Sequence, residues 1–220
     1  MSSDALRRYY RLHAPIYDAT RWAFLFGRTR LIQLLSRAFA GAAYAGVACA
    51  GVADAGVAPK QILDLGCGTG KNLCALANAF PQAQITGVDL SPAMLAQAGR
   101  NLVRKLDPAA RARISLRNTD IAQMPTLQYD LIVCSYMLSM TGSQLPELLQ
   151  KLRSLLTPTG RLAIVDFDST WAQWFARWMS VNHVRMDGTL AACLKTFSHT
   201  ELHEQHSGLG LWRWLIWIGR

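Results

Sequence analysis

Residues 61–70 read QILDLGCGTG, an apolar run followed by an aspartate and three glycines at alternate positions. The apolar residues predict a buried strand, and a helix is expected to begin at about residue 71. Between them, Gly66, Gly68 and Gly70 allow the backbone to turn sharply and to approach a ligand closely. A strand, a glycine turn and a helix in this order predict a cofactor-binding unit of an open α/β sheet.

The chain after this stretch carries further landmarks at strand and helix ends. A second apolar strand over 85–88 ends in Asp89, 25 residues after Asp64, where a carboxylate can accept both hydroxyls of a ribose. The later landmarks are Ser91 and Pro92 opening a helix, Asp120 before Ile121, a strand over 129–134, a helix over 147–156, a turn over 157–160 and a strand over 161–167.

This succession resembles the class I S-adenosylmethionine-dependent methyltransferases over residues 60–167. DLGCGTG (64–70) is similar to their glycine motif, VDLS (88–91) to the strand end with their ribose acid, and LLTPTGRLAIVDF (155–167) to their late turn and strand. The resemblance implies a Rossmann-like, doubly wound α/β fold with a seven-stranded, mostly parallel sheet and an antiparallel last strand. It also implies S-adenosyl-L-methionine as cofactor and S-adenosyl-L-homocysteine as product. An ordinary dinucleotide-binding unit is the alternative interpretation.

The same resemblance assigns roles to residues at the strand ends. Asp64 would orient the glycine loop, Asp89 would bind the ribose, and Leu90 and Met94 would sandwich the adenine. Cys134, Ser135 and Tyr136 follow the fourth strand, at a position that faces the methyl group in many relatives. The full set of expected cofactor-binding residues is Asp64, Gly66, Cys67, Gly68, Gly70, Asp89, Leu90, Met94, Asp120, Ile121 and Cys134.

The N-terminal segment, residues 6–39, combines arginines with aromatic residues. It predicts a short helix, a bend over 13–17 and a second helix over 19–40. This mixture suits an interface between lipid headgroups and acyl chains, and a helix packed into the core is the alternative.

Residues 9–28, YYRLHAPIYDATRWAFLFGR, resemble the N-terminal signature of bacterial N-methyltransferases of betaine-lipid synthesis. The likeness continues in NHVRMDG (182–188) and GLGLWRWLIWIGR (208–220). It implies methylation of diacylglyceryl-homoserine to diacylglyceryl-trimethylhomoserine. Phosphatidylethanolamine N-methyltransferases share these pieces more loosely, and a soluble small-molecule methyltransferase would share every motif of the core.

An amine acceptor with a pKa of about 10 must lose a proton before it can be methylated. Tyr17, Tyr136 and His183 are the candidate catalytic residues for this step. A homoserine headgroup also carries a carboxylate, for which a bidentate arginine is the natural partner. The candidate substrate-binding arginines are Arg21, Arg28 and Arg185.

Composition narrows the possible partners. The 220 residues carry a net charge of +9, which favours an anionic partner. The charge alone does not distinguish nucleic acid from an anionic membrane surface. An RNA-binding methyltransferase is therefore a distant alternative. Enzymes that methylate nucleic-acid amines carry an Asn-Pro-Pro-aromatic motif after this strand, whereas residues 134–137 of this chain read CSYM. Five cysteines without metal-type spacing predict free thiols in a reducing cytosol and no metal site.

The predicted organisation is an N-terminal helical cap (1–40), an Ala/Gly-rich linker (41–59) and a methyltransferase domain (60–220). No secretory signal begins the chain, and the uncharged run over 38–53 is too short to span a bilayer. We therefore expect a cytoplasmic protein bound peripherally to the inner membrane, with a lipid substrate and no nucleic acid. Residues 211–219 alternate as a final strand.

Overall fold

The computed structural model describes residues 25–40, 57–124, 127–197 and 199–220. The strands are β1 (Gln61–Leu65), β2 (Gln84–Val88), β3 (Ile114–Arg117), β4 (Tyr129–Ser135), β5 (Leu156–Thr170), β6 (Thr200–Gly208) and β7 (Trp212–Gly219). The helices are α1 (Arg28–Phe39), α2 (Lys71–Ala79), α3 (Pro92–Lys105), α4 (Pro108–Ala112), α5 (Leu145–Ser154), α6 (Gln173–Val181) and α7 (Thr189–Leu194). Short 3-10 turns cover Ile121–Gln123, Leu138–Met140 and Gly142–Gln144.

All seven strands form one sheet, in the order β3-β2-β1-β4-β5-β7-β6. Strands β1 to β5 run parallel, and β7 is inserted antiparallel between β5 and β6. Leu65 pairs with both Val88 and Cys134, so that β1, β2 and β4 end at the same edge of the sheet. The predicted doubly wound fold is confirmed, and the sheet brings the loops after its central strands together.

Apolar residues are buried on both faces of the sheet. Ile62 of β1 and Val133 of β4 belong to one hydrophobic cluster, and their neighbours Leu63 and Ile132 belong to another. Helices cover both faces of a parallel sheet of this kind, which is why its central strands read as nearly continuous apolar runs.

The C-terminal hairpin follows the predicted alternation. Trp212, Trp214, Ile216 and Ile218 of β7 pack into the first cluster, while Leu215 and Trp217 pack into the second. Both faces of β7 are thus buried, because a hydrophobic cluster covers the sheet on each side.

Helix α1 begins at Arg28, nine residues later than the predicted start at residue 19. Gly27 precedes it with φ of +81°, and a Cβ at this position would lie 2.2 Å from the Trp214 ring. This left-handed residue separates the helix from the preceding chain. Residues 1–24, with the predicted bend, and residues 41–56, with most of the predicted linker, lie outside the described residues.

The described part of the predicted cap packs into the protein core. Leu31, Leu35 and Phe39 of α1 are buried in the first hydrophobic cluster. On the exposed side, both Arg30 nitrogens Nε and Nη2 donate to the Glu204 carboxylate at 2.7 Å. Helix α1 is therefore bound to the sheet from two sides.

Two boundaries differ from the predictions. Helix α5 covers Leu145–Ser154, two residues earlier than the predicted range of 147–156. Strand β5 begins at Leu156, five residues before the predicted start at residue 161, and it contains the predicted turn over 157–160 as residues that do not pair with β4. Tyr129 pairs with Leu156, and Leu131 pairs with Arg161. Residues 157–160 between these two pairs are therefore an irregular insertion in the strand. Among the described residues, no helix has the length and apolar character needed to cross a membrane.

Candidate functional site

A cavity of about 500 Å³ lies at the carboxyl ends of β1, β2 and β4. This volume is within the range of about 300–1,000 Å³ that small-molecule sites occupy. Eight of the residues predicted to bind a cofactor line it: Gly66, Cys67, Gly68, Asp89, Leu90, Met94, Asp120 and Ile121. The position agrees with the general rule that ligands of open α/β sheets bind beyond the carboxyl ends of the strands.

The Asp89 carboxylate connects the two loops at the floor of the cavity. Its Oδ2 accepts a hydrogen bond from the Gly68 amide at 2.9 Å, and its Oδ1 accepts one from the Ser91 amide at 2.8 Å. Burial raises the pKa of Asp89, and these two amide donors oppose that shift. A carboxylate oxygen has more than one acceptor position, so Asp89 can still accept hydrogen bonds from a ligand in the cavity.

Gly70 does not line the cavity. It precedes α2 with φ of +78°, and a Cβ there would lie 3.1 Å from the Cβ of Ala98 on α3. The missing side chain at Gly70 therefore lets α2 and α3 pack closely, and the residue does not make the ligand contact that the sequence predicted. The Asn101 amide supports this contact by donating to the Thr69 carbonyl at 2.9 Å.

We expect Gly70→Ala to lower the free energy of unfolding by about 1–3 kcal/mol, because it combines an unfavourable φ with a close contact. Gly142→Ala is the matched control, since Gly142 also has a positive φ of +61° but has open space around it. Urea unfolding of both variants separates the two contributions. Equal losses in the two variants would contradict a packing role for Gly70.

Asp64 lies beneath the glycine loop and does not line the cavity. Its side chain is fully buried, and Oδ1 accepts a long hydrogen bond of 3.5 Å from Asn72 Nδ2. No described residue donates to Oδ2. Burial raises the pKa of Asp64 to about 7, although the Asn72 amide and the Arg28 charge oppose the shift. Asn72 Nδ2 also donates to Ser135 Oγ at 2.8 Å, which connects β1 to β4.

Cys134 is the third predicted cofactor residue that does not line the cavity. Its side chain is fully buried in the second hydrophobic cluster, among Ile132 and Leu138. Burial raises the pKa of its thiol well above the usual value. Ser135 and Tyr136, the other two residues expected at this strand end, line the cavity, whereas Cys134 does not.

A tight turn after β4 forms another wall of the cavity, and sequence reasoning did not include it among the site residues. It carries Met137, Met140 and Thr141, which all line the cavity. Asp166 of β5 holds it: its carboxylate accepts hydrogen bonds from the amides of Leu138 and Ser139 and from the Ser139 hydroxyl. The signal in the sequence is an aspartate within an apolar strand, because a buried carboxylate must find donors.

The Tyr136 side chain closes one side of the cavity. Its hydroxyl donates to the Phe26 carbonyl at 2.5 Å, and its ring packs edge-on against Phe167 at 4.8 Å. Burial raises the pKa of the hydroxyl above its usual value. These contacts disfavour the general-base role predicted for Tyr136, because its proton is engaged and the phenolate is unstable there.

Arg28, a predicted substrate-binding residue, reaches the cavity from the first turn of α1. Its guanidinium carbon lies 5.5 Å from the centre of the Tyr136 ring. The buried Nε has no hydrogen-bond partner among the described residues. Arg28 and Lys71 also line a second, adjacent cavity of about 320 Å³. Both side chains place positive charge between the two cavities.

The remaining predicted residues do not meet at this site. His183 follows α6 and does not line the cavity. Arg185 is also absent from its walls, and its guanidinium is paired with Asp187 at 2.6 Å. Tyr17 and Arg21 lie outside the described residues. No group of three potential metal ligands occurs in the part of the chain that the structure describes.

Comparison with known proteins gives the domain its class. Residues 63–162 match the sequence profile of the methyltransferase domain family. The solved structure of the DhpI-SAH complex superimposes with a TM-score of 0.65 at 19% identity, covering 99% of this chain and 96% of that one. Residues 63–162 form a class I S-adenosylmethionine-dependent methyltransferase domain.

Two relatives of this methyltransferase domain are named for the acceptors trans-aconitate and malonyl-[acyl-carrier protein]. The trans-aconitate 2-methyltransferase of Escherichia coli O1:K1 / APEC is 37% identical over 125 residues, which are 57% of this chain and 43% of the relative. The malonyl-[acyl-carrier protein] O-methyltransferase of Halalkalibacterium halodurans is 29% identical over 172 residues, which are 76% and 56%. The chain thus spans about half the length of each relative.

The residues at the cavity of the methyltransferase domain fit S-adenosylmethionine, the cofactor of this class. Asp89 offers carboxylate oxygens to a pair of ribose hydroxyls, and Asp120 and Ile121 line the cavity after β3, where they can meet the adenine. Asp64, with its unpartnered Oδ2, lies beneath the glycine loop and would act on a bound cofactor only through that loop. The predicted cofactor is confirmed.

Proposed function

We propose that this chain is an S-adenosylmethionine-dependent methyltransferase that acts on a small molecule bearing a carboxylate. The observation that carries the proposal is Arg28 at the cavity wall, with a buried Nε that no described residue satisfies. A guanidinium binds a carboxylate through two parallel hydrogen bonds, which fixes both position and orientation. The names of the two relatives, which specify trans-aconitate and malonyl acceptors, support an acidic acceptor.

The protein chemistry at the cavity agrees with a carboxylate acceptor. A carboxylate is already ionised at pH 7, so its methylation needs no base, whereas an amine of pKa about 10 must first lose a proton. The Tyr136 hydroxyl donates a hydrogen bond to the Phe26 carbonyl, and His183 does not line the cavity. The cofactor, when bound, supplies an activated methyl group. The protein then has to align the acceptor and exclude water, which the apolar Met137 and Met140 assist.

The experiment is methyl transfer to a panel of small di- and tricarboxylic acids, with amines of similar size as comparison. We expect Arg28→Ala to lower kcat/KM for the best acid by about 10- to 100-fold, because one charge-assisted bidentate contact is lost. Arg28→Lys should recover part of this loss. Turnover of amines alone, unaffected by Arg28→Ala, would contradict the proposal.

Arg185→Ala provides the matched control. Arg185 was also predicted to bind substrate, but its guanidinium is half exposed and paired with Asp187 outside the cavity. Its removal should change kcat/KM by less than about twofold, because exposed ion pairs contribute little. Equal effects of the two substitutions would indicate a general loss of positive charge and not a specific contact.

A lipid headgroup amine, most specifically that of diacylglyceryl-homoserine, is the second candidate acceptor. A stack of aromatic rings favours it by connecting the cavity wall to the protein surface. Phe26, whose carbonyl binds Tyr136, stacks on Trp212 at 6.2 Å, and Trp212 stacks on Phe175 of α6 at 5.3 Å. Beyond Phe175, Trp174 and Trp178 are exposed. The exposed rings at the end of this stack offer an apolar surface to the acyl chains of a lipid acceptor.

Lipid mass spectrometry decides between these acceptors. The chain is expressed in a host without trimethylated lipids, with and without an enzyme that makes diacylglyceryl-homoserine. Trimethylhomoserine lipid formed only with that enzyme would establish the lipid candidate over the small acid. Methylated phosphatidylethanolamine in both cultures would assign the phospholipid instead.

A further inference from the structure

The outer face of α6 and the tip of the β6–β7 hairpin expose a group of large apolar side chains. We call this group the tryptophan face: Trp171, Trp174, Trp178, Val181 and Leu209, which are between 48% and 80% exposed. Large apolar groups exposed together mark an interaction surface, whereas single ones are ordinary.

Contacts among the residues show that the tryptophan face is continuous. The Trp171 ring N–H donates to the Gly210 carbonyl at 2.8 Å, which joins the start of α6 to the hairpin tip beside Leu209. Trp174 and Trp178 both pack against the buried Phe175, with ring centres 5.6 Å away in each pair. Val181 follows Trp178 by three residues on the same helix, and therefore lies beside it.

The segments that carry the tryptophan face hold charges of one sign, although Arg213 also interacts electrostatically with Asp168 of β5. Residues 171–182 and 207–213 contain Arg177 and Arg213 and no aspartate or glutamate. Both arginines are exposed. Tryptophan rings flanked by arginines are typical of protein surfaces that enter the boundary between lipid headgroups and acyl chains.

We propose that the tryptophan face binds an anionic lipid bilayer surface. A second copy of the chain fits less well, since a symmetric dimer would bring Arg177 of each copy against the same positive surface. Residues 1–24 fit less well also, because they carry four arginines, Arg7, Arg8, Arg11 and Arg21, against two aspartates, Asp4 and Asp18. Charge complementarity thus favours lipid phosphate.

This surface bears on the lipid candidate above but does not depend on it, because vesicle binding is measured without methyl transfer. A chain that binds vesicles and methylates only small acids would support membrane binding by the tryptophan face and contradict the lipid acceptor. A chain that methylates a lipid without vesicle binding through this face would overturn it. The two proposals can therefore fail separately.

The test uses the full chain with vesicles of phosphatidylglycerol and phosphatidylethanolamine, and with vesicles of phosphatidylcholine alone. We expect co-sedimentation with the anionic vesicles, weakened by salt, and quenching of tryptophan fluorescence by lipids brominated on their acyl chains. Trp174→Ser with Trp178→Ser should lower the partition coefficient at least tenfold and remove most of the quenching. Methyl transfer to a soluble acceptor should be unchanged.

Val103→Ser with Leu127→Ser is the matched control, because both residues are exposed and apolar and lie outside the tryptophan face. This pair should leave vesicle binding unchanged, and an equal loss would overturn the assignment. A dimer in light scattering that the tryptophan variant dissociates, without vesicle binding, would assign the face to a second copy. A monomer that neither binds vesicles nor shows acrylamide quenching of these tryptophans would assign it to another segment of the chain. Either result would overturn the proposal.

Discussion

Asp89→Ala is expected to weaken binding of S-adenosylhomocysteine by about 100- to 10,000-fold. In the proposed complex the carboxylate accepts hydrogen bonds from two ribose hydroxyls, and bonds to a charged group contribute about 1.5–3 kcal/mol each. The substitution also removes the acceptor for the Gly68 and Ser91 amides, so the loop geometry suffers as well. Isothermal titration calorimetry measures the affinity directly.

Two further variants separate ligand contact from loop damage. Asp89→Asn keeps the shape of the side chain and one acceptor oxygen, while its amide nitrogen faces one of the two backbone donors. It should therefore lose a smaller part of the affinity than Asp89→Ala, about 10- to 100-fold. Asp107→Ala also removes an aspartate that caps a backbone amide, that of Ala110 at 2.8 Å, but outside the cavity. It should lower stability by about 1 kcal/mol and leave cofactor affinity unchanged. Normal affinity in Asp89→Ala would refute the assigned ribose site.

Asp64→Asn is expected to raise the free energy of unfolding at pH 8 by about 2–4 kcal/mol in the absence of cofactor. Burial raises the pKa of Asp64 to about 7, from an ordinary value of 3.8. Each pKa unit corresponds to about 1.4 kcal/mol between the two protonation states. At pH 8 the wild-type protein must keep a buried carboxylate charged, whereas an asparagine of the same shape carries no charge.

The pH dependence has a definite sign. Between about pH 4 and pH 7 the folded state holds the Asp64 proton and the unfolded state releases it. Because the folded state binds more protons, stability from this group is fully present below pH 4 and is lost as the pH rises through 7. Urea unfolding at pH 5 and pH 8 should show this slope in the wild-type protein and a smaller slope in Asp64→Asn.

Asp166→Asn serves as the contrasting control. Asp166 is also fully buried, and burial raises its pKa to about 6, but its oxygens accept hydrogen bonds from Leu138, Ser139 and Phe167. An asparagine would turn one acceptor into a donor facing other donors. We expect this variant to lose about 1–3 kcal/mol at pH 5 and less at pH 8, where the substitution also removes a buried charge. A loss of stability in Asp64→Asn as well would refute an energetic penalty from the Asp64 charge.

Local order along the chain made much of the fold predictable. The apolar run of β1, the glycine turn and α2 follow one another within residues 61–79, and Asp89 ends the next strand. Each of these features depends on neighbours in sequence, so propensity and spacing determine them. The alternation of β7 was equally predictable, because Trp214 and Leu215 point to opposite faces of the sheet in any strand.

The site was less predictable where an element is apolar on all sides, because its sequence then shows no alternation between buried and exposed residues. Strand β4 is buried on both faces, and its sequence does not tell whether Cys134 or Ser135 faces the ligand. The same holds for α6, where apolar residues surround the helix: Phe175 and Met179 are buried, while Trp174 and Trp178 are exposed. Helical spacing separates these pairs but does not say which one meets the core.

The sequence by itself determined the order of strands and helices, the glycine turn and the acid at the end of β2, because local interactions specify them. Only the tertiary structure decided which side chains share a cavity. Arg28 meets Tyr136 across 108 residues, whereas Arg185 pairs with Asp187 two residues away. Both are arginines predicted to bind substrate. Their different positions depend on how α1 packs against the sheet, and long-range packing of this kind leaves no periodic signal in the chain.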